Sequence, residues 1–338
     1  MPTINQQVRL AERPAPGLAD PSIWSLTHEP VAQPAEGEVL VEVLYCSLDP
    51  AMRTWLNAGR SYIPPVGIGE VMRAAGVGRV AASKAAGFAK GDIVEGVFGI
   101  QKFVAIAADQ VQRIEADGTP PEVHLGALGT PGLTAYFGLL DVGKAKQGDT
   151  VVISAAAGAV GTVAGQIAKA IGCRVIGIAG GHEKCRILVD ELGFDGAVDY
   201  RAEDFGAALR AACPQGIDVF FDNVGGAVLN AVLRNLAQGA RIVVCGAVSQ
   251  YNATSVGPGP TNYMNLLIAR ASMIGFVIFD YQDRYPEGRK QLAEWIADGK
   301  IKPRTHLVKG LENFPTALNQ LFAGDNVGKF VLQVAEVP

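Results

Sequence analysis

Gly158 and Gly161 stand three residues apart in the stretch TVVISAAAGAVG (Thr150–Gly161), where an apolar run gives way to small residues. Residues of this type at this spacing bind phosphate. They match the second and third glycines of the dinucleotide fingerprint, with Ala156 in the place of the first. Glycine lets the main chain approach a pyrophosphate, and a helix starting there aims unpaired N–H groups at the anion. A glycine pattern alone is weak evidence in a chain with 41 glycines. Its context says more. Val151-Val152-Ile153 suits a parallel strand buried on both faces, and Val160, Val163, Ala164, Ile167, Ala168 and Ile171 recur along one helical face.

A second chemical feature follows about twenty residues later, where an NAD-binding chain normally carries an acid for the ribose 2′-hydroxyl. Here the sequence is Gly180-Gly181-His182-Glu183-Lys184. A carboxylate at that place would repel a 2′-phosphate, and an ammonium would attract it. Glu183 suits a first-turn glutamate complementing the helix dipole. Lys184 is either a phosphate ligand or one more solvated helix lysine, and spacing alone does not separate the two. The absence of a strand-end acid favours NADP(H). The other expected strand ends, Asp199-Tyr200, Asp222-Asn223 and Cys245-Gly246-Ala247, are small residues with a few polar groups, as a nucleotide site requires.

These residues must be positioned by a doubly wound sheet. From about residue 125 onward, strands alternate with helices. Strands are expected at Arg174–Ile178, Ala197–Val198, Val219–Phe221, Arg241–Val244 and Met273–Phe279. Helices are expected at Glu183–Leu192, Ala202–Ala212, Ala227–Leu236 and Asn265–Arg270, with a Gly/Pro-rich loop at Val256–Pro260. With the opening strand this makes six, the count of a Rossmann sheet. Before residue 125, short candidate strands (Val39–Leu44, Ala75–Ala81, Asp92–Val97 and Lys102–Ile106) are broken by Gly and Pro. They suggest a small β-rich domain with a partly open barrel. Leu48–Arg53 and Arg60–Pro65 form a loop region carrying Tyr62, and Pro120-Pro121 marks a boundary. The tail has helices near Pro286–Asp298 and Pro315–Phe322. Its strands, near Thr305–Val308 and Phe330–Val334, have no place in a six-stranded sheet and are expected to complete the first domain.

Composition narrows the function class. At 338 residues the chain has room for two domains, and its formal net charge of −4 argues against a nucleic-acid surface. No stretch approaches the ~20 apolar residues of a membrane span, and the N-terminus lacks a signal-peptide core, so a cytoplasmic protein is expected. The five cysteines (Cys46, Cys173, Cys185, Cys213 and Cys245) include no CxxC pair, so neither a zinc knuckle nor a redox dithiol is indicated.

Several blocks together resemble a known family. PGLTAYFGL (Pro131–Leu139), AAAGAVG (Ala155–Gly161), GCRVIGIAGGHEKC (Gly172–Cys185), DNVGG (Asp222–Gly226), CGAVSQYN (Cys245–Asn252) and GDNVGK (Gly324–Lys329) are similar to the medium-chain dehydrogenase/reductase superfamily. Within it, they resemble the zinc-independent prostaglandin reductases, alkenal double-bond reductases and curcumin reductases. The resemblance covers nearly the whole chain. It implies an α/β protein in which a GroES-like catalytic domain (1–125 and 299–338) is interrupted by a Rossmann NADP-binding domain (126–298), assembled as a homodimer. Ala156 then ceases to be a defect, because the family pattern is AxxGxxG.

The resemblance also implies roles. Gly158, Ala159, Val160 and Gly161 would hold the pyrophosphate, Lys184 and Tyr200 the adenosine 2′-phosphate, and Asn223 the ribose side. Cys245, Gly246, Ala247, Ser249 and Tyr251 would line the cofactor, Phe276, Val277 and Ile278 the nicotinamide, and Asn326 its far edge. No metal is implied: Cys46 lacks the partners of zinc-using relatives, and the comparable stretch reads Gly67-Ile68-Gly69-Glu70. The family reaction moves hydride from NADPH to the β-carbon of an α,β-unsaturated ketone or aldehyde, with a hydroxyl donor stabilising the enolate oxygen. Tyr251 ranks first as that donor, Tyr62 second and Tyr263 third. Ala51, where relatives often have tyrosine, and Ile100, where they often have tryptophan, would reshape the substrate pocket. An NADPH quinone reductase and a non-catalytic NADPH-binding protein remain the alternatives.

Overall fold

The computed structural model describes residues 4–59, 61–115, 118–255 and 257–336. Arg60 of the Tyr62 loop and Val256 of the Gly/Pro-rich loop lie outside the described residues. The chain forms two units. One comprises Met1–Leu125, Thr305–Asp325 and Lys329–Pro338, and the other Gly126–Arg304 and Asn326–Gly328. The later crossing thus follows Arg304 and not residue 298. Residues up to Arg304 bond back into the second unit: the Lys302 N–H donates to Gln166 Oε1 at 2.8 Å, and Arg304 pairs with Glu191.

The first unit is β-rich. Strands β1 (Ile4–Leu10) and β2 (Trp24–Pro30) form an antiparallel pair. A larger sheet contains β3 (Glu38–Ser47), β4 (Ala75–Ser83), β5 (Ile93–Val97), β6 (Phe103–Ala107) and β7 (Val111–Arg113). The chain's end adds β14 (Thr305–Lys309) and β15 (Lys329–Gln333) to it, with β15 antiparallel to β3. β3 pairs with β4, β6 and β15 and is buried at most positions, which explains its long apolar run. The apolar core gathers Val41, Val43, Met52, Phe98, Phe314 and Phe330.

Several elements here escaped the sequence, among them β1, β2, β7 and a short helix. β1 has no apolar alternation because Asn5 and Gln7 are buried polar residues. Their amides are matched inside: Asn5 Nδ2 donates to the Phe103 carbonyl at 2.8 Å and Asn5 Oδ1 accepts from its N–H at 2.9 Å. The expected loop at Leu48–Arg53 contains a short helix, Ala51–Trp55. Arg53 is buried there, its guanidinium donating to the carbonyls of Ala15 and Gly17 and to Asn57 Oδ1. Lys329 is also buried, with Nζ on the Leu48 carbonyl and on Asp49 Oδ1 at 2.8 Å. Burial lowers its pKa, and the Asp49 carboxylate opposes that fall.

The second unit is built on six parallel strands: β8 (Thr150–Ser154), β9 (Arg174–Ala179), β10 (Gly196–Asp199), β11 (Ile217–Asp222), β12 (Leu236–Val244) and β13 (Ser272–Gly275). Their order is β10-β9-β8-β11-β12-β13, the doubly wound Rossmann arrangement. β8 is buried at every position, its apolar centre Val151–Ile153 suiting a central parallel strand, with Thr150 and Ser154 buried at its ends. The helix Ala159–Ala170 follows it, and its Gly165 admits the Phe194 ring, whose nearest carbon would lie 1.9 Å from an added Cβ. Several boundaries differ from expectation. The helix before β11 starts only at Phe205, the one after β11 stops at Val232, β12 begins at Leu236 instead of Arg241, and β13 ends at Gly275 instead of Phe279. There the chain turns, with the Asp280 N–H bonded to the Val277 carbonyl and a 3₁₀ helix running Ile278–Arg284. Among the described residues no helix is long and apolar enough to cross a membrane.

An ion pair ties β12 to the start of β8. Asp149, nearly buried, accepts from Lys146 Nζ at 2.7 Å and from the Arg241 guanidinium. Burial alone would raise its carboxyl; the bonds from Lys146 and Arg241 outweigh burial and hold it below the ordinary value. A folded-state pKa below the unfolded one stabilises above the usual carboxylate range, and that stability is lost as pH falls through the folded value. In urea titrations, Asp149→Asn should therefore be less stable than the parent at neutral pH. The gap should close as pH drops from about 5 to about 3; a gap independent of pH would refute this.

Candidate nucleotide site on the parallel sheet

In a doubly wound sheet the ligand crevice forms at the carboxyl edge where strand order reverses. Here that place lies between β8 and β11, and a buried polar cluster bridges their ends. Ser154 Oγ donates to Asp222 Oδ1 at 2.9 Å and accepts from the Asn223 N–H at 2.8 Å. Asn223 Nδ2 donates to the Ser154 carbonyl at 2.8 Å. The same Asp222 oxygen accepts from the N–H groups of Val224 and Gly225, both at 2.9 Å, which sets up the helix Gly226–Val232. Burial nevertheless raises the Asp222 pKa, against the pull of those bonds. Its carbonyl also accepts from Cys245 N–H at 2.9 Å and Gly246 N–H at 3.1 Å, so the ends of β8, β11 and β12 share one hub. Asp222 was expected only as a polar strand end, and Ser154 was not singled out from sequence, because a strand-end serine has many ordinary uses.

The turn after β8 is shaped by sterics. Ala155 adopts a left-handed backbone with φ of 47°. A Cβ on Gly161 would lie 2.4 Å from the Ala155 carbonyl oxygen, so only glycine lets the helix pack this tightly on the strand. Ala156 is fully buried, and its methyl lies 3.0 Å from where a Cβ on Gly177 would stand. Glycine on β9 thus makes room for alanine in the fingerprint. Gly158 caps the helix with no side-chain hydrogen bond, and neither Ala159 nor Val160 nor any other first-turn residue is acidic. The positive helix end is therefore open to an anion. Gly328 bridges Gly158, its N–H donating to the Ala157 carbonyl at 2.8 Å, and Asn326 Nδ2 donates to the Gly328 carbonyl at 2.8 Å. This places Asn326 beside the fingerprint turn.

At the ends of β9 and β10, Asp199 Oδ1 accepts from the N–H groups of Gly181 and Arg201, both at 2.9 Å, and these bonds lower its pKa. That acid is consumed by its own turn. Lys184 lies in the first turn of helix His182–Asp190. Tyr200 is 46 % exposed, with the Arg201 guanidinium over its ring at 5.7 Å. A Cβ on Gly180 would meet Arg201 Nε and Tyr200 Cε1, both at 2.9 Å, so Gly180 is the floor on which both side chains rest. Arg201 is a functional candidate that the sequence reading missed. Its signal was present, a cation two residues past a strand end.

After β12, the Cys245 thiol is pushed up to about 12 by burial and then by the Asp222 charge, which makes it a poor nucleophile. Ala247 N–H donates to the Tyr251 hydroxyl at 3.4 Å, and a Cβ on Gly246 would sit 3.0 Å from that oxygen. Ser249 Oγ donates to the Val224 carbonyl at 2.6 Å. Tyr251 ends the short helix Val248–Tyr251 and Tyr263 precedes the helix Met264–Ala269, 59 % exposed. Phe276, Val277 and Ile278 follow β13, Ile278 buried. All the candidate cofactor residues thus belong to the second unit, while Tyr62, 56 % exposed, belongs to the first.

The residues do not suit zinc. Cys46 is fully buried with its thiol on the Gly99 carbonyl at 3.4 Å and is pushed up to about 12 by burial, while the Glu70 carboxylate accepts from Gly67 N–H at 2.7 Å. Among the described residues no group of three or more His, Cys, Asp or Glu could hold a metal ion.

A β-rich unit together with a Rossmann sheet of this carboxyl edge defines a nucleotide-dependent oxidoreductase. Residues 6–114 match the family profile described as N-terminal domain of oxidoreductase, and 159–295 the one described as zinc-binding dehydrogenase. The NADPH-dependent curcumin reductase of Escherichia coli is 44% identical over 98% of this chain and 97% of its own length. The NADP(+)-dependent 2-alkenal reductase of Nicotiana tabacum is 40% identical over 95% and 94%. The crystal structure of CurA from Vibrio vulnificus in complex with NADPH superposes with a TM-score of 0.93 at 46% identity, covering 98% of this chain and 100% of that one. The chain belongs to the medium-chain dehydrogenase/reductase superfamily, in the NADP-dependent branch of curcumin, alkenal and prostaglandin reductases.

The packing of the fingerprint turn can be tested directly. Gly161→Ala should lower stability by about 1–3 kcal/mol, since the methyl must displace backbone and not a flexible side chain. Chemical denaturation checks it, and an unchanged midpoint would refute the tight approach.

Proposed function

We propose that this chain binds NADP(H) along the carboxyl edge of its parallel sheet and reduces the C=C bond of α,β-unsaturated ketones and aldehydes. One observation carries the cofactor half: the helix N-terminus at Gly158 has no side-chain cap and no first-turn acid, and it is supported by the cations Lys184, in the helix after β9, and Arg201, past the end of β10. The helix end takes the pyrophosphate. Lys184, Arg201 and the Tyr200 ring take the adenosine phosphate, while Asp199 Oδ1 accepts from the backbone of its own turn. Asn223 faces the ribose, Cys245–Tyr251 lines the site, Phe276–Ile278 borders the nicotinamide and Asn326 its far edge. The bound cofactor supplies a hydride to the substrate β-carbon.

The protein's own part is then electrostatic. Negative charge grows on the carbonyl oxygen, and a fixed hydroxyl must meet it. Tyr251 is the leading donor. The Ala247 N–H donates to its hydroxyl oxygen at 3.4 Å, which holds the phenol beside the end of β12. Tyr62 and Tyr263, both exposed, follow in that order. Cysteine nucleophiles have little support, since burial raises the thiols of Cys46, Cys173, Cys213 and Cys245 to about 11 or 12.

We also propose a homodimer joined at β13. That edge strand is exposed at all four positions, Met273 and Ile274 among them, and Leu267 and Ile268 of the preceding helix are 68 % and 69 % exposed. Such an apolar edge needs a cover, and a second copy supplies one by strand pairing.

Turnover with enones, enals and quinones, read as loss of NADPH absorbance, tests the activity; reduction of quinones alone would reject it. Lys184→Ala and Arg201→Ala should each weaken NADPH binding about ten- to a hundredfold and leave NADH nearly unchanged. Equal loss for both cofactors would reject the phosphate assignment. Ile274→Glu should shift the chain to monomer in sedimentation, and an unchanged assembly would place the interface elsewhere.

A further inference from the structure

The segment Phe276–Ile278 needs support that the sheet does not give it. β13 has a single neighbour, β12, and ends at Gly275, so the main chain leaves the sheet from an exposed edge. Three contacts outside the sheet hold the departing chain. The Phe276 ring enters a seat at Gly138, where an added Cβ would lie 2.6 Å from Phe276 Cζ and 2.8 Å from Phe221 Cε2. Tyr281 meets that ring edge-on at 6.4 Å between centroids and stacks on Phe137 at 4.7 Å. The Tyr285 hydroxyl donates to the Ile278 carbonyl at 3.2 Å.

The seat itself is irregular. The helix Thr130–Phe137 runs on into a π-helical turn, Gly138–Val142, closed by the Gly143 N–H on the Gly138 carbonyl at 2.9 Å. Such turns are uncommon and concentrate at functional places. Arg284 braces it, pairing with Asp141 of the π-turn, donating to Glu287 at 2.8 and 2.9 Å, and lying 5.0 Å over the Phe137 ring. Glycine and ring thus hold the Phe276 side chain, the Tyr285 hydroxyl holds the main chain at Ile278, and the guanidinium braces the π-turn that carries the seat.

We infer that Tyr285 is a positioning residue: with the Phe276–Gly138 seat, its hydroxyl fixes the main chain of Phe276–Ile278 against the nicotinamide end of the cofactor. This rests on the NADP(H) assignment proposed above. Tyr285 acts through the Ile278 carbonyl and not on substrate.

Two ligands separate this role from a general loss of structure: NADPH, followed by nicotinamide fluorescence, and 2′,5′-ADP, which lacks the nicotinamide. Tyr285→Phe should weaken NADPH about three- to tenfold, the worth of one hydrogen bond, and leave 2′,5′-ADP within about twofold. With an enone as acceptor, the isotope effect on kcat from C4-deuterated NADPH should rise, because a misplaced donor slows the hydride step. Phe276→Leu, which empties the glycine seat, should move the same quantities in the same direction. Equal weakening of both ligands, or unchanged NADPH binding in both variants, overturns the inference. A parent chain that fails to bind 2′,5′-ADP would instead refute the NADP(H) assignment, and the inference would fall with it.

Discussion

The second unit depends on the parallel pairing of β8 with β11. Strand order reverses there, so helices leave on opposite faces and the carboxyl edge opens. Two parallel strand ends also leave backbone groups unmatched. Ser154, Asp222 and Asn223 match them in one buried cluster, with Asp222 taking three donors on one oxygen. A buried carboxylate held by hydrogen bonds and no cation is tolerable only if every bond is made. The cluster therefore specifies the geometry of three loops at once, those after β8, β11 and β12.

The nucleotide edge then follows from small residues where backbone must come close. Gly161 lets the helix approach its strand, Gly180 carries Tyr200 and Arg201, and Gly138 admits Phe276. Each is a place where a methyl would strike a neighbour. Charge is as sparsely used. The strand-end acid Asp199 is turned into its own loop, and Lys184 and Arg201 are the cations on which the proposed phosphate contact rests.

Much of this was legible in linear order. The apolar run of β8, the fingerprint spacing and the helix face of Val160–Ile171 identify one unit from local pattern alone, because a buried parallel strand and an amphipathic helix have distinct periods. Less legible was β1, whose buried Asn5 and Gln7 look like surface residues until their partners around Gln101 and Phe103 are known. The end of β13 was overrun for the converse reason. Phe276-Val277-Ile278-Phe279 is as apolar as any strand, yet the Asp280–Val277 bond and the Gly138 seat draw it into a turn.

By itself the sequence determined the fold class, the nucleotide fingerprint and the family, since all three rest on residue type and spacing along the chain. Tertiary structure decided which residues share the site. Only contact across distant segments shows that alanine is tolerated at 156 because residue 177 is glycine, that Gly328 returns to the fingerprint turn, and that Arg201 rests beside Tyr200 on Gly180. The hub of Ser154 and Asp222 belongs to the same class, for its bonds join positions 68 residues apart. Spacing encodes local geometry; packing between distant segments is set only when the chain has folded.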